Sequence, residues 1–586
     1  MSNVSKVKTF GVGYGLLFTF SIANLLLMHY YFYFNEYLEW TFLYSFAANF
    51  FSVFFDVSLL LAFSLLFCKF RLKAALAFTY AVTVLWALVN VFYVRFFSIY
   101  MPVTAISEVV SLTDSLVVSN IQKECSSIDL FVPFSLIFFV WLYKRTPRKQ
   151  IVIRQYRYII LLAFSSLSLT LLSYSICHFV HPSSKHDQEL LIRKIKELLI
   201  FVNDGGTPNL SRYQAGSIRT IAWDVYDALA TRKLTDSEMK MVLEFIHDKQ
   251  NKISENVTPH VQNVIFILLE SFLSAPIDLV IGGNEITPFL NKLKQDSCVY
   301  YNGKMKSNVA CGESGDGQFI YMTGMLPLRH KMVVSTLKEK EFPALPRLLT
   351  REFGIEHTEI IIPTQLNMWQ QSDANKAYGI EHAYSVNDIV SYRRQCSHDQ
   401  DKTDDVSDKD IFGFAASTLK TKKEPFFSMV LSVSTHSPYD KYCGEDVCKG
   451  GTNMPLGYRN YLNTCHFTDR WLHAFINMLK KSGLYERSLI VICSDHPAHL
   501  DRMNMIGRIS TNTPLFIING QISNAEAWNK EFHQVDVFTT LLDILNIRTE
   551  WKGLGHTLLN GCYKESVNDM SYSVSRLLNE SDYFQK

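Results

Sequence analysis

Four side chains that can bind a metal ion or move a proton stand just after runs of apolar residues in the C-terminal half of the sequence: Glu270, His436, Asp495 and His496. Each run has the length and the aliphatic content of a buried strand. The carboxyl ends of parallel strands meet at one edge of a sheet, so we expect the four groups to converge on one crevice. A single carboxylate after a strand is often only a helix cap. Carboxylates with one imidazole suit Mn²⁺, Mg²⁺ or Zn²⁺, and Glu270, Asp495 and His496 are candidate ligands of one such divalent metal.

Ser314 is a candidate nucleophile for the same crevice. It lies in the glycine-rich segment Cys311–Phe319, before the apolar run Phe319–Met325, which predicts a helix. The positive end of the helix dipole would favour an oxyanion there. A serine oxygen becomes a good nucleophile when a base or a metal lowers its pKa. The alternative is an ordinary helix-capping serine.

The elements that must position these groups lie at about residues 263–586, where strand-like runs alternate with helical patterns such as Tyr461–Lys481. The candidate strands are Val264–Leu269, Glu359–Ile362, Phe426–Val433, Leu489–Cys493 and Leu515–Ile518. Strands that alternate with helices indicate an α/β domain whose mostly parallel central sheet is covered on both faces.

The first 180 residues have the composition of membrane helices. They hold five apolar runs, at about residues 10–33, 41–67, 74–93, 130–143 and 158–180. Four runs reach the roughly 17–25 residues that a span needs, and the short fourth run ends in Trp141 and Tyr143, which are typical of a membrane interface. We therefore predict a five-span α-helical domain at 1–180 and a juxtamembrane helical linker at 181–262, with helices at Leu190–Val202 and Asp236–Lys249.

The distribution of Lys and Arg sets the predicted orientation. With five spans, the N-terminus and two loops on one side of the membrane carry eleven basic residues, whereas the two short loops on the other side carry only Arg95 and Lys123. The basic side should be cytoplasmic. The odd number of spans then places the C-terminal domain outside the cytoplasmic (inner) membrane, in the periplasmic or extracytoplasmic space. If the short fourth run does not span, this placement is reversed.

Composition excludes two broad classes of protein. The net charge of +2 offers no basic excess with which to bind nucleic acid. The hydrophobic fraction of 48% is too high for a largely disordered chain.

The order of these motifs resembles that of the alkaline-phosphatase/sulfatase superfamily, and the predicted spans in front resemble its lipoteichoic acid synthase and phosphoglycerol transferase branch. The matching segments are NVIFILLES (263–271), EITPFLNKL (285–293), CGESGDGQF (311–319), STHSPY (434–439) and YLNTCHFTDRWLHAFINMLKKSGLYERSLIVICSDH (461–496). The resemblance implies that Ser314 is the nucleophile and completes the metal shell. It also implies that His436 contacts the substrate phosphate.

The resemblance is weaker around the substrate headgroup. Trp369 matches an aromatic residue that shapes the headgroup pocket, and the neighbouring Gln371 is a candidate hydrogen-bond partner. His499 closely follows the metal ligands in the sequence. Its side chain could face the pocket or lie on the surface, and the sequence does not distinguish the two. The synthases carry a His and an Arg where this chain has Ile362 and Gln371, so their polymerising glycerol-phosphate pocket is not reproduced. The Pro and Arg that formylglycine sulfatases carry after the nucleophile are absent after Ser314.

The resemblance implies a metal-dependent transferase with a phosphoryl-serine intermediate. It would move phosphoglycerol from a membrane phospholipid, most simply phosphatidylglycerol, to a glycan or lipid acceptor. One alternative is a phosphoethanolamine transferase, because Cys311 and Gly312 resemble the sequence before the nucleophile in that branch. A second alternative is an inactive membrane-anchored scaffold, which would predict damaged ligand positions.

Overall fold

A computed structural model describes residues 2–36, 42–97, 100–101, 127–180, 216–218, 221, 225, 233–250, 260–329, 331–396, 405–440, 446–449, 454–500, 503–522, 532–559 and 567–585. The described residues divide between Ala230 and Thr231 into two compact units.

The described part of the N-terminal unit is dominated by long helices that coincide with the five apolar runs. They are α1 (Ser2–Glu36), α2 (Phe42–Phe67), α3 (Leu72–Phe97), α4 (Phe131–Arg145) and α5 (Ile153–Val180). Within the described residues, three segments are long and apolar enough to cross a membrane: Val12–Tyr30, Asn49–Phe67 and Leu72–Arg95.

The predicted five spans are therefore not confirmed. Helix α4 has 15 residues, which gives a length of about 22 Å, whereas the hydrocarbon core of a bilayer is about 30 Å thick. Helix α5 has 28 residues but begins with Arg154 and Arg157 in its first turns. The predicted linker helix Leu190–Val202 lies outside the described residues. The second linker helix, α6, is present at Asp236–Gln250 and belongs to the C-terminal unit.

The C-terminal unit has the predicted alternation of strands and helices. Its strands are β1 (Asn263–Leu269), β2 (Val280–Ile281), β3 (Asn284–Glu285), β4 (Val299–Lys306), β5 (His357–Ile361), β6 (His382–Tyr384), β7 (Phe426–Leu431), β8 (Ser488–Ser494), β9 (Thr513–Ile518) and β10 (Phe532–His533). Its helices after α6 are α7 (Pro288–Leu293), α8 (Glu313–Thr323), α9 (Leu345–Leu348), α10 (Gln371–Tyr378), α11 (Val386–Cys396), α12 (Asp408–Lys420), α13 (Leu456–Lys481), α14 (Leu484–Arg487), α15 (Gln534–Ile544) and α16 (Asp569–Glu580).

Eight strands form one sheet in the order β10-β4-β9-β8-β1-β7-β5-β6. Strand β1 pairs in parallel with both β7 and β8, and β5 continues the parallel arrangement on the far side of β7. Strand β9 runs antiparallel to β4 and β8. The sheet is therefore mostly parallel, and all five strands expected from the sequence are present.

The three central strands are buried along their whole length. Every residue of β1, β7 and β8 is buried, as expected for parallel strands that are covered on both faces. This burial explains why each strand reads as a continuous apolar run rather than as an alternating one. The apolar runs end where the strands reach the sheet edge, and polar residues begin there.

Candidate active site

The strand register brings the candidate ligands to one edge of the sheet. Leu269 at the end of β1 lies opposite Ser494 at the end of β8, so the next residues, Glu270 and Asp495, emerge side by side. One ligand atom from each of Glu270, Asp495 and His496 lies within 4.8 Å of the others, and all three residues are buried. The predicted convergence of these three groups is thus present in the structure.

Backbone and hydroxyl donors hold the two carboxylates in place. Asp495 Oδ1 accepts hydrogen bonds from the backbone N–H of Ser271 at 2.8 Å and of His496 at 2.7 Å. Glu270 Oε1 accepts one from Ser271 Oγ at 2.7 Å. Ser271 has a left-handed backbone with a φ of 49°, a strained conformation for a residue other than glycine. This turn directs both its N–H and its hydroxyl group to the two carboxylates.

The imidazole of His496 is held with Nε2 facing the carboxylates. Its Nδ1 lies 3.0 Å from the carbonyl oxygen of Pro497. Because a carbonyl oxygen can only accept, Nδ1 carries the hydrogen. Nε2 lies 3.4 Å from Glu270 Oε1 and 3.6 Å from Asp495 Oδ2. In the neutral ring, the lone pair of Nε2 therefore points towards both carboxylates.

The pKa values of the three groups show how strongly they interact. Burial by itself would raise the pKa of Glu270, but the hydrogen bond and charge of His496 hold that pKa well below its usual range. Burial and the Glu270 carboxylate raise the pKa of Asp495 to about 8. Burial lowers the pKa of His496, but the neighbouring carboxylates, Asp495 first, raise it above its usual value. Without another cation, protons are needed to balance the two buried carboxylates.

The chemistry of this cluster fits a divalent metal ion. Two carboxylates and one imidazole are common ligands of Mn²⁺ and Zn²⁺. Their oxygen and nitrogen atoms converge and are oriented by hydrogen bonds on their outer sides, as in known metal sites. A bound divalent ion would replace the protons that otherwise balance the charge.

Ser314 joins the cluster from the start of helix α8. Its Oγ donates a hydrogen bond to Glu270 Oε2 at 3.1 Å. Helix α8 begins at Glu313 and ends at Thr323, so the prediction of a helix at Phe319–Met325 placed the start too late. Ser314 therefore lies in the first turn of the helix, where free N–H groups favour negative charge.

Two features bring the first turn of α8 close to the ligands. Gly317 packs so tightly that a Cβ atom there would lie 2.6 Å from the backbone oxygen of Asp495. Asp316 accepts hydrogen bonds through Oδ2 from the N–H groups of Ala310 at 3.0 Å and Gly312 at 2.9 Å. Its carboxylate thereby holds the loop that leads into the helix. Glycines near a predicted nucleophile are the sequence signal for such a close approach.

His436 lies on the loop after β7 and is half-buried. Its Nδ1 donates to the carbonyl oxygen of Ser437 at 2.6 Å. Its charge contributes, after that of His496, to the low pKa of Glu270, so the two groups are close enough to interact. The loop is held by the buried Asp408, whose Oδ1 accepts from the N–H of Val433 at 2.7 Å. This supporting role of Asp408 depends on a tertiary contact and was not predicted from the sequence.

The remaining candidates are spread more widely. The His499 ring is half-buried and lies 6.0 Å from the His496 ring, centroid to centroid. Trp369 is half-buried with a left-handed φ of 51°. Gln371 is buried, and its Nε2 donates to Gln318 Oε1 on α8 at 3.0 Å and to Asn375 Oδ1 at 2.8 Å. The Gln371 amide nitrogen thus links α10 to the helix that carries Ser314.

Parts of this chain are similar to known proteins. The sulfatase family model matches residues 262–547. Lipoteichoic acid synthase 2 of Bacillus subtilis is 26% identical over 368 residues, which cover 58% of this chain and 54% of that protein. Lipoteichoic acid synthase of Staphylococcus saprophyticus is 23% identical over 494 residues, which cover 82% of this chain and 73% of that protein. This chain is thus similar to lipoteichoic acid synthases and, at residues 262–547, to the sulfatase family.

A solved structure is also similar to part of this chain. The phosphoglycerol transferase GacH of Streptococcus pyogenes, in complex with sn-glycerol-1-phosphate, matches 60% of this chain and 94% of its own, with 16% identity and a TM-score of 0.41. The sequence relatives are described as lipoteichoic acid synthases, and the apolar N-terminal helices of this chain are long enough to cross a membrane.

Proposed function

We propose that this protein transfers phosphoglycerol from a membrane phospholipid, most simply phosphatidylglycerol, to a glycan or lipid acceptor. The observation that carries the proposal is the position of Ser314 Oγ, 3.1 Å from Glu270 in a cluster with Asp495 and His496. A hydroxyl group at a helix N-terminus beside a divalent-metal site is suited to attack phosphorus. The lipoteichoic acid synthase relatives support glycerol as the headgroup.

The reaction proceeds in two displacements at phosphorus, and Ser314 is the nucleophile of the first. A divalent metal held by Glu270, Asp495, His496 and Ser314 would act as a Lewis acid, lowering the pKa of the hydroxyl group and polarising the phosphodiester. The deprotonated Ser314 Oγ forms a bond to phosphorus, the bond from phosphorus to the diacylglycerol oxygen breaks, and phosphoglycerol remains on the serine. An acceptor hydroxyl then attacks the same phosphorus, loses its proton and releases Ser314.

We assign the proton transfers of these steps to His436. Its Nδ1–H is held by the carbonyl oxygen of Ser437, so Nε2 is the atom that exchanges a proton with substrate. It gives a proton to the departing diacylglycerol oxygen and takes one from the acceptor hydroxyl. We assign Trp369, Gln371 and His499 to the binding of the headgroup and the acceptor.

The proposed membrane arrangement has five spans at residues 1–180, a linker at 181–262 and an extracytoplasmic catalytic domain at 263–586. The eleven basic residues on the predicted cytoplasmic side support it. A lipid donor explains why a soluble type of catalytic domain is attached to a membrane anchor. Diacylglycerol remains in the bilayer as the leaving group.

Diacylglycerol release from two separate lipids tests the function. The purified full-length protein, loaded with Mn²⁺, is incubated with phosphatidylglycerol or with phosphatidylethanolamine. We expect release from phosphatidylglycerol and a phosphoglycerol adduct on the peptide that contains Ser314. Release from phosphatidylethanolamine alone would contradict the proposal in favour of an ethanolamine headgroup, and release from neither lipid would contradict both.

A further inference from the structure

Glu313, the residue before the candidate nucleophile, contacts a metal ligand from the side away from the metal site. Its Oε2 lies 3.2 Å from Nδ1 of His496, and its side chain is 25% exposed. Nε2 of the same ring faces Glu270 and Asp495. The Glu313 carboxylate and the other two carboxylates therefore meet opposite edges of one imidazole.

The backbone at Glu313 is shaped for this contact. Its φ of 45° lies in the left-handed region, which costs free energy for any residue with a Cβ atom. Helix α8 starts at this residue, so the unusual turn also sets the direction of the first helical turn. A strained residue that contacts a functional group is a reason to look for a role of its side chain.

We propose that Glu313 is a positioning residue that orients His496 for metal binding through the Nδ1–H group. This inference rests on the metal-dependent function proposed above. The Pro497 carbonyl oxygen also faces Nδ1, at 3.0 Å, and on its own it would fix the same tautomer. The carboxylate adds a charge-assisted interaction, which is stronger than a neutral one and makes the imidazole a more basic ligand.

The contact also couples the nucleophile to the metal site. Glu313 and Ser314 are consecutive residues in the first turn of α8, and they reach His496 and Glu270 respectively. A shift of this turn would therefore move the serine and the imidazole together. Loss of a carboxylate that orients a ligating histidine typically weakens metal binding about 10–100-fold.

Mn²⁺ titration of the purified full-length protein tests this role with two variants and two controls. Glu313→Gln keeps the shape of the side chain and removes its charge. Glu313→Gly removes the side chain and accommodates the left-handed backbone without strain. Glu339→Gln is the matched control, because Glu339 also has a left-handed φ, of 62°, but is exposed. Asp495→Asn, which alters a proposed ligand, shows what the loss of the site itself looks like.

We expect the Mn²⁺ dissociation constant to rise about 10–100-fold in Glu313→Gly and by a smaller factor in Glu313→Gln. The thermal midpoint of the metal-free protein should stay the same or rise in the glycine variant, while the stabilisation by added Mn²⁺ falls. Glu339→Gln should bind as the wild type does. If Glu313→Gly does not fold, a weakened Glu313→Gln still supports the role.

Wild-type affinity in the folded Glu313 variants would overturn the inference. A loss of affinity in Glu313→Gln with wild-type affinity in Glu313→Gly would also overturn it. Both variants lack the carboxylate, so such a loss would have another cause. Absence of Mn²⁺ binding by the wild-type protein, or unchanged binding in Asp495→Asn, would instead overturn the metal site of the proposed function. The two failures are thus distinguishable.

Discussion

At the scale of single residues, the site is defined by which side-chain atoms contact the backbone and which face the other candidate ligands. Asp495 Oδ1 accepts two backbone N–H groups, and His496 Nδ1 faces a backbone carbonyl. The opposite atoms, Asp495 Oδ2 and His496 Nε2, face each other. Ser314 Oγ and Ser271 Oγ both donate to Glu270. Ser314 is the proposed nucleophile, so its removal is the sharpest test of the chemistry.

Ser314→Ala is expected to lower the rate of diacylglycerol release by at least about 10³-fold, because the covalent route is lost. The thermal midpoint should change little, since Ser314 is only half-buried. Ser314→Thr keeps a hydroxyl group and serves as the matched control, with substantial activity retained. A Ser314→Ala protein that releases diacylglycerol at a rate similar to the wild type would remove Ser314 as the nucleophile.

At the scale of elements, helix α8 must approach the end of strand β8 closely. Gly317 allows this approach, because a Cβ atom there would lie 2.6 Å from the oxygen and 3.0 Å from the carbonyl carbon of Asp495. Both contacts are with backbone, which cannot rotate away as a side chain can. The backbone carbonyl of Asp495 is in turn held by Gln534 Nε2 at 2.6 Å.

Gly317→Ala is expected to destabilise the C-terminal unit by about 1–3 kcal/mol, as overpacking of a core typically does. It should also weaken Mn²⁺ binding, since the helix and Asp495 must move apart. Gly413→Ala is the control, because its nearest neighbour would be Tyr392 Cε1 at 3.7 Å; alanine there should be neutral or stabilise α12 by about 0.5–1 kcal/mol. Equal thermal midpoints for the two variants would contradict the close-packing argument.

At the scale of the whole molecule, the chain combines apolar N-terminal helices with a mostly parallel α/β unit. The side of the membrane on which that unit lies depends on the number of spans. Three helices meet the length and apolarity of a span. Three is an odd number, as is the total of five that we propose, so both totals place the unit on the same side. Whether the short helix α4 and helix α5, with its basic start, both span the membrane therefore needs a direct test.

A reporter fused after Lys586 is expected to behave as exported, because an odd number of spans separates it from the cytoplasmic N-terminus. A second fusion after Lys149, in the basic loop between α4 and α5, should behave as cytoplasmic. Alkaline phosphatase and fluorescent reporters at both sites would measure the two sides independently. A cytoplasmic C-terminal reporter would contradict the extracytoplasmic assignment.

The sequence by itself determined the central sheet and the convergence of Glu270, Asp495 and His496. The physical reason is local. A strand that is buried on both faces must be apolar along its length, so the first charged residue marks the end of the strand in the sequence. Parallel strands then bring their ends to the same edge. Glycines around Ser314 likewise revealed the tight turn, although not the residue at which α8 starts.

Only the tertiary structure decided which atoms touch. The contact of Glu313 with His496 joins residues 183 positions apart, and Asp408 supports the His436 loop from a helix that precedes β7. The link from Gln371 to Gln318 depends on how α10 packs beside α8. No periodicity or spacing encodes such pairs, because side chains that are distant in sequence meet only when the elements pack. Local sequence patterns thus predict the strands and the candidate ligands, whereas the orientation of each ligand depends on long-range packing.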